Sequence, residues 1–323
     1  MRVLILGING FIGRSITAFA NTLGHEVFGI SRSNEVQHAT CFKVNRENVK
    51  DIRRVVIDNK IEAVVDVIAM TATSTLPLLE VLASLRDHVS HYVLISSCDV
   101  YAEYELLHKL TSGQASTSKL DETAPLRITR YPYRGEEPRE KGDSQAFLDD
   151  YDKLPIEAAV QDLSLAWTIL RLPMVYGPGD KQARFRWAIK PILEAKLEGR
   201  QEINFPAAWM NWESTYGYID NVGAAIASTL GEARAYNQIF NIADKAQGTQ
   251  RFWAEQIAGR LGWSGSLTGT DEDQGPQWRH LNQLDLAVPL RVGADKFRRM
   301  LEFEDIIDIA DALDRAIASE RKP

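Results

Sequence analysis

Residues 3–13 read Val-Leu-Ile-Leu-Gly-Ile-Asn-Gly-Phe-Ile-Gly, an apolar strand that runs directly into three glycines. The spacing of Gly7, Gly10 and Gly13 constrains the fold more than any other feature of the chain. The first glycine lets the strand turn sharply, the second admits backbone close to a pyrophosphate, and the third lets the next helix pack tightly on the strand. Residues 14–23 suit that helix and Gly24 ends it. Its first turn offers unpaired N–H groups and the positive end of the helix dipole to an anion. A glycine triplet alone is a weak signal. Set between a strand and a helix, it predicts a dinucleotide-binding unit in which Gly7, Asn9, Gly10, Phe11, Ile12 and Gly13 form the contact loop.

The rest of the first half keeps a strand–helix rhythm. Residues 25–31, 62–69, 91–97 and 166–172 read as strands, and residues 76–85 and 155–163 as helices. Such alternation implies a parallel sheet covered on both faces. Ligands in these sheets sit at the carboxyl ends of strands, which directs attention to the residues after Leu6, Ile30, Ala69, Ile95 and Leu170. The expected organisation is α/β: a doubly wound parallel sheet over residues 1–172 and a smaller C-terminal lobe over 173–323. Strand-like pieces at 216–219 and 239–242 are expected to bring the 216–243 region back onto the sheet. Residues 102–150 break the rhythm, being polar and proline-containing with no convincing strand. A stretch of this length is either a solvated surface insertion or a functional lid. In the second case Arg127, Arg130 or Arg134 is expected to meet a substrate.

Composition narrows the function classes. A chain of 323 residues fits one large domain or a main domain with a lobe. The net charge of −7 supplies no basic field for nucleic acid or an anionic membrane. The two cysteines, Cys41 and Cys98, are too few for a disulfide framework or a zinc site, and no metal is expected. No apolar run reaches membrane-spanning length, and the N-terminus reads as a strand, not a signal peptide. A cytoplasmic setting, a small-molecule substrate and no nucleic-acid or membrane partner are the expectations. A homodimer is left open.

Several segments in order resemble the extended short-chain dehydrogenase/reductase superfamily, in particular its NAD(P)-dependent epimerase/dehydratase group. Gly7-Ile8-Asn9-Gly10-Phe11-Ile12-Gly13 is similar to that family's nucleotide loop, and Ser96-Ser97-Cys98-Asp99-Val100-Tyr101 to its active-site strand end. The run from Arg171-Leu172-Pro173 through Tyr176-Gly177-Pro178-Gly179-Asp180 resembles its transition to the substrate lobe, while Tyr218-Ile219-Asp220-Asn221-Val222, Phe240-Asn241-Ile242 and the 295–303 segment resemble later landmarks. The resemblance implies a Rossmann domain, a small substrate-binding lobe, and redox chemistry at a carbon bearing a hydroxyl or keto group. It places Ala69 and Pro173 against the cofactor, and Asn45 where the family often has an Asp beside the adenine. Tyr101, Tyr176, Arg184 and Tyr218 are the implied substrate contacts.

Two departures matter. The family pairs an acid/base Tyr with a Lys four residues later, which puts both on one helical face. Here the segment reads Asp149-Asp150-Tyr151-Asp152-Lys153-Leu154-Pro155-Ile156-Glu157. Tyr151 has Pro155 at the Lys position, and Lys153 has Asp149 at the Tyr position. Residues two apart on a helix point to nearly opposite sides. Proline is tolerated in a first helical turn, so the helix is expected to begin near Lys153, with non-helical backbone bringing Tyr151 and Lys153 together. In the implied mechanism Ser97 and Tyr151 bind the reacting oxygen, Lys153 holds the ribose or tunes the acid, and Asp99 moves a second proton. Cys98 is read as packing.

The second departure concerns the cofactor. NAD-selective sites carry an acid at the end of the second strand to bond the ribose 2′-hydroxyl. This chain has Ser31-Arg32-Ser33 there, which suits a 2′-phosphate, so NADP(H) is expected over NAD(H). The 212–216 segment carries no arginine where members that hold nucleotide diphosphate sugars often place one. Trp209, Trp212, Tyr216 and Tyr218 would either line a less charged pocket or lie in the core. Two other readings stay open: a simple NADPH-dependent carbonyl reductase, and a noncatalytic dinucleotide-binding sensor or scaffold.

Overall fold

Val3 and Ile5 of the first strand, β1 (Arg2–Leu6), face one core, while Leu4 and Leu6 face another, and all four are fully buried. Successive side chains of a strand point to opposite faces, so an unbroken apolar run requires cover on both sides. The computed structural model describes residues 1–31, 36–140 and 142–320 and shows how that cover is built. After β1 come α1 (Phe11–Thr22), β2 (Glu26–Ser31), β3 (Thr40–Lys43), α2 (Val49–Asp58), β4 (Ala63–Asp66), α3 (Ala72–Ser84) and β5 (His91–Ser97). The insertion holds a short helix, α4 (Ala102–Leu107), and a 3₁₀ turn at Ala146–Asp149; α5 (Lys153–Gln161) and β6 (Ala166–Leu172) follow.

The chain continues through β7 (Met174–Tyr176), α6 (Arg186–Glu198), β8 (Glu202–Pro206), α7 (Ala207–Asn211), β9 (Glu213–Ser214), β10 (Tyr216–Tyr218), α8 (Ile219–Ser228) and β11 (Gln238–Asn241). It ends with β12 (Gly248–Thr249), α9 (Gln250–Leu261), β13 (Ser266–Thr270), α10 (Asp295–Leu301) and α11 (Ile309–Glu320). Among the described residues, seven strands form one sheet in the order β11-β6-β5-β4-β1-β2-β3, and every neighbouring pair is parallel. The order reverses between β1 and β4, which makes the crevice above their carboxyl ends the natural ligand position. The fold is the doubly wound Rossmann type.

Strands β5 and β6 coincide with the segments read from sequence, whereas β4 is shorter than residues 62–69, and β3, α2 and α4 had no clear sequence signal. The C-terminal part returns to the sheet twice. Strand β11 adds to the edge of β6, from Gln238 beside Thr168 to Asn241 beside Arg171. Helix α8 lies against α1 so closely that a Cβ on Gly223 would sit 2.0 Å from Ser15 Oγ. Ser15 Oγ donates across this contact to the carbonyl of Ile219 at 3.0 Å. Among the described residues, the remaining strands of the C-terminal part pair as β7–β10, β8–β13 and β9–β12, and Ser214 of β9 also bridges Leu290.

Candidate active site

A cavity of about 1290 Å³ opens at the carboxyl ends of the strands. One wall is the glycine loop, with Gly7, Asn9, Gly10, Phe11 and Ile12 on its surface. Gly7 has φ +89, a backbone state that side-chain-bearing residues rarely adopt. Gly13 does not line the cavity; a Cβ there would lie 2.3 Å from the Gly7 carbonyl oxygen, so its bareness brings α1 onto the loop. Helix α1 begins after Gly10 with no side-chain cap, and Gly10, Phe11 and Ile12 at its start line the cavity. Uncapped amides beside a glycine-lined opening suit a pyrophosphate, so this wall fits a nicotinamide dinucleotide. Pro173, after β6, also lines the cavity.

The cofactor residues beyond this wall are less uniform. Ser31 Oγ accepts from Asn9 Nδ2 at 2.6 Å, which ties the end of β2 to the loop. Arg32 lies outside the described residues. Asn45 is exposed in a turn, where its Oδ1 accepts from the Glu47 amide, and it does not reach the cavity. Its neighbour Arg46 is buried in a bidentate pair with Asp66. Ala69 is buried behind the wall and contributes its carbonyl to Lys153.

The opposite wall carries Ser97, Asp99, Tyr133, Tyr151 and Lys153. How Tyr151 and Lys153 come together is a matter of backbone. Tyr151 bridges to Thr71 in antiparallel fashion, and Asp152 is extended, with φ −161 and ψ 113. In extended chain, residues two apart share a face. Tyr151 and Lys153 therefore face the cavity, while Asp152 turns away to Arg127 and Arg130. Helix α5 starts at Lys153, capped by Asp152, whose Oδ1 accepts from the Leu154 amide at 3.2 Å. Behind it a buried pair, Arg171 with Glu157 at 2.7 Å, anchors α5 to β6, and Ser96 Oγ donates to the same Glu157 at 2.5 Å.

The site's electrostatics follow from this burial. Tyr151 Oη donates to Asp99 Oδ2 at 2.8 Å, and Ser97 adjoins the same phenol. Burial pushes the phenol's pKa well above 10, and the Asp99 charge adds to the shift. Asp99 itself is raised by burial, against the lowering effect of Tyr151, Arg127, Tyr133 and Lys153. Lys153 Nζ donates to the carbonyls of Ala69 at 2.7 Å and Ile95 at 3.0 Å. Burial pulls that ammonium down to about 8. An ammonium has three donors, so one remains for a ligand hydroxyl.

Several expected contacts lie elsewhere. Asp149, the alternative acid/base position, is bound to the Arg139 amide and guanidinium and does not line the cavity. Tyr101 is buried, and its hydroxyl donates to Asn241 Oδ1 at 2.6 Å. Tyr176 is packed among Phe185, Tyr216, Tyr218 and Trp253. Neither Tyr101 nor Tyr176 reaches the cavity, whereas Arg184 and Tyr218 do. Arg184 is committed to Asp180 and the Val175 carbonyl. Trp209, Trp212 and Tyr216 pack with other aromatics away from the cavity.

The three arginines of the insertion expected near a substrate all pair within the protein. Arg127 binds the carbonyls of Asp99 and Thr129 and the Asp152 carboxylate, Arg130 binds Asp152, and Arg134 binds Asp150. What the insertion gives the cavity is Tyr133, Phe147 and Leu148. Tyr133 stood in the sequence among several tyrosines and arginines, and only its long-range contact with Asp99 sets it apart.

The profile of the NAD dependent epimerase/dehydratase family matches residues 3–134. No curated protein matches the chain. Among solved structures, a UDP-glucose 4-epimerase of Thermotoga maritima with UDP-glucose superposes with a TM-score of 0.67 at 18% identity, covering 99% of each chain. A putative epimerase of Burkholderia cenocepacia gives 0.69 at 19%, covering 99% of this chain and 98% of the other. A UDP-glucose 4-epimerase of Thermus thermophilus in complex with NAD gives 0.67 at 18%, covering 99% of each. The strand–helix order, the glycine loop and the profile agree: residues 3–134 of this chain match the NAD dependent epimerase/dehydratase family, and the chain shares the fold of the solved epimerase structures.

Proposed function

We propose that the protein is a nicotinamide-dependent oxidoreductase of the epimerase/dehydratase kind, acting on a carbinol or keto carbon of a small molecule. The observation that carries this reading is the facing of the glycine loop by Ser97, Tyr151, Lys153 and Asp99 across one cavity. The dinucleotide supplies hydride acceptance and donation when bound. The pyrophosphate would rest on the Gly10–Ile12 amides, and the third Lys153 donor would hold a ribose hydroxyl. Ser97 and Tyr151 would orient the substrate oxygen and carry its proton. NADP(H) is the preferred cofactor, since Ser31 stands where an acid would select NAD. The solved relatives include enzymes complexed with UDP-glucose and with NAD. The missing arginine in the 212–216 segment and the commitment of Arg184 to Asp180 favour a substrate less charged than a nucleotide sugar. The test is dinucleotide binding followed by turnover of a panel of hydroxy and keto compounds. Tyr151→Phe should lower turnover by about a hundredfold to ten-thousandfold, while Asp149→Asn should not. The reverse result would move the acid/base role to Asp149, and absence of dinucleotide binding would refute the reading.

A further inference from the structure

Two phenols converge on one carboxylate oxygen at the cavity wall. Tyr151 Oη donates to Asp99 Oδ2 at 2.8 Å, and Tyr133 Oη, from the insertion, donates to the same atom at 3.0 Å. Asp99 is 4% exposed, and its Oδ1 has no hydrogen-bond partner among the described residues. The rings of Tyr133 and Tyr151 meet edge to face at 5.0 Å, and Tyr104 stands behind Tyr133 at 5.7 Å. Asp99 is held from its backbone as well. Its amide donates to Ser97 Oγ at 3.2 Å, and its carbonyl accepts from Arg127 Nε at 2.9 Å.

A tyrosine that acts through its phenolate needs a cation close to its oxygen and no anion there. Here the group hydrogen-bonded to the phenol oxygen is an anion. Lys153 Nζ is bonded to two carbonyls and lies 5.6 Å from the Tyr151 ring centroid, while the atom on the phenol is a carboxylate oxygen. A buried phenol already donating to a carboxylate keeps its proton until it can pass it to that carboxylate.

We propose that Asp99 is the base behind Tyr151, that the phenol relays protons between the substrate oxygen and Asp99 Oδ2, and that Tyr133 is a positioning residue for that carboxylate. This deepens the proposed function and rests on it. In oxidation the substrate hydroxyl gives its proton to Tyr151 Oη as the phenol's own proton moves to Asp99 Oδ2. The carbinol C–H bond breaks, and its electron pair leaves with the hydrogen as hydride to a nicotinamide dinucleotide. Asp99 ends neutral and no phenolate forms. Reduction runs the same transfers backwards from a protonated Asp99. The groups that set its protonation are Tyr133 and Tyr151, which donate to it, Arg127 and Lys153, which favour its charge, and burial, which opposes it.

The test starts with infrared difference spectra of the dinucleotide-free protein over pH, with Asp99→Asn as the blank, to read the carboxylic acid band of Asp99. Tyr133→Phe and Tyr151→Phe each remove a donor to the charged form, so each should raise the band's midpoint by about one pH unit. The second arm is turnover. Asp99→Asn should lose about a hundredfold in rate with dinucleotide affinity unchanged, and Tyr133→Phe should move the pH limb of turnover in step with its infrared midpoint. Thermal melts establish that each variant is folded. An unmoved band, or turnover of Asp99→Asn within about threefold of the parent, overturns the relay while leaving the proposed function standing. A parent protein that binds no dinucleotide overturns the proposed function and the relay's part in turnover together.

Discussion

The Arg127 guanidinium meets the Asp152 carboxylate at 2.6 Å, with the two side chains 0% and 1% exposed. This pair joins the insertion to the residue that separates Tyr151 from Lys153. The same Asp152 oxygen caps α5, so one carboxylate fixes the start of the helix and the outward turn of the backbone before it.

Arg127→Met should leave Asp152 buried with two backbone amides and the half-exposed Arg130, its one remaining cation among the described residues. Removing one member of a buried pair typically costs about 3–5 kcal/mol, and the loss here should lie toward the lower figure. Urea unfolding measures it. A change under about 1 kcal/mol would mean that the pair does not organise this segment.

Gly13→Ala should disturb the α1 contact and weaken dinucleotide binding, because its Cβ would lie 2.3 Å from the Gly7 carbonyl and 2.8 Å from Ile8 Cα. Both neighbours are backbone and cannot rotate aside. Gly24→Ala is the control. It has φ +78 and open space around it, so it should cost about 1 kcal/mol in stability and leave binding intact. Thermal melts beside cofactor fluorescence titrations separate the two effects.

Cofactor preference should turn on Ser31. Ser31→Asp places a carboxylate where it would accept from a ribose 2′-hydroxyl and repel a 2′-phosphate. The ratio of NADPH to NADH affinity is expected to fall by about tenfold or more, a change worth roughly 1.4 kcal/mol. Parallel titrations of both cofactors with parent and variant measure it, and an unchanged ratio would remove Ser31 from the selection.

His91 should make stability fall in mild acid. Thr168 Oγ1 donates to the Ala235 carbonyl, so it must accept from His91 Nε2, and the buried Nδ1 has no partner among the described residues. A second ring proton would have no acceptor, and burial lowers the pKa from 6.5 to about 4. Between these values the unfolded chain binds the proton and the folded chain does not, so stability drops as pH falls from 6.5 toward 4. The full effect is about 3 kcal/mol. Denaturant titrations at several pH values should show that slope in the parent and a flatter one in His91→Gln.

The sequence by itself determined the parallel sheet and the position of its ligand crevice. Apolar runs such as residues 3–6 and 91–97, the glycines after Leu6 and the helical spacings between strands are local signals, and burial on two faces follows from them. Pro155 was also legible as a mark of a late helix start, because a proline's demands fall on its immediate neighbours. Other elements gave weak local signals: β3 is a four-residue strand at the edge of the sheet, and α4 spans six residues. What the side chains do was decided by contacts between residues far apart in the chain. In the lid reading the sequence offers Arg127 and Arg130 to a substrate, and in the fold both pair with Asp152. Tyr101 and Tyr176 have the same composition-level appearance as Tyr133 and Tyr151, yet the first two fill the core and the last two reach Asp99. Hydrophobic periodicity reports which face of an element is buried; it carries no record of which charge or phenol from another element will meet it there, and only the assembled fold supplies that pairing.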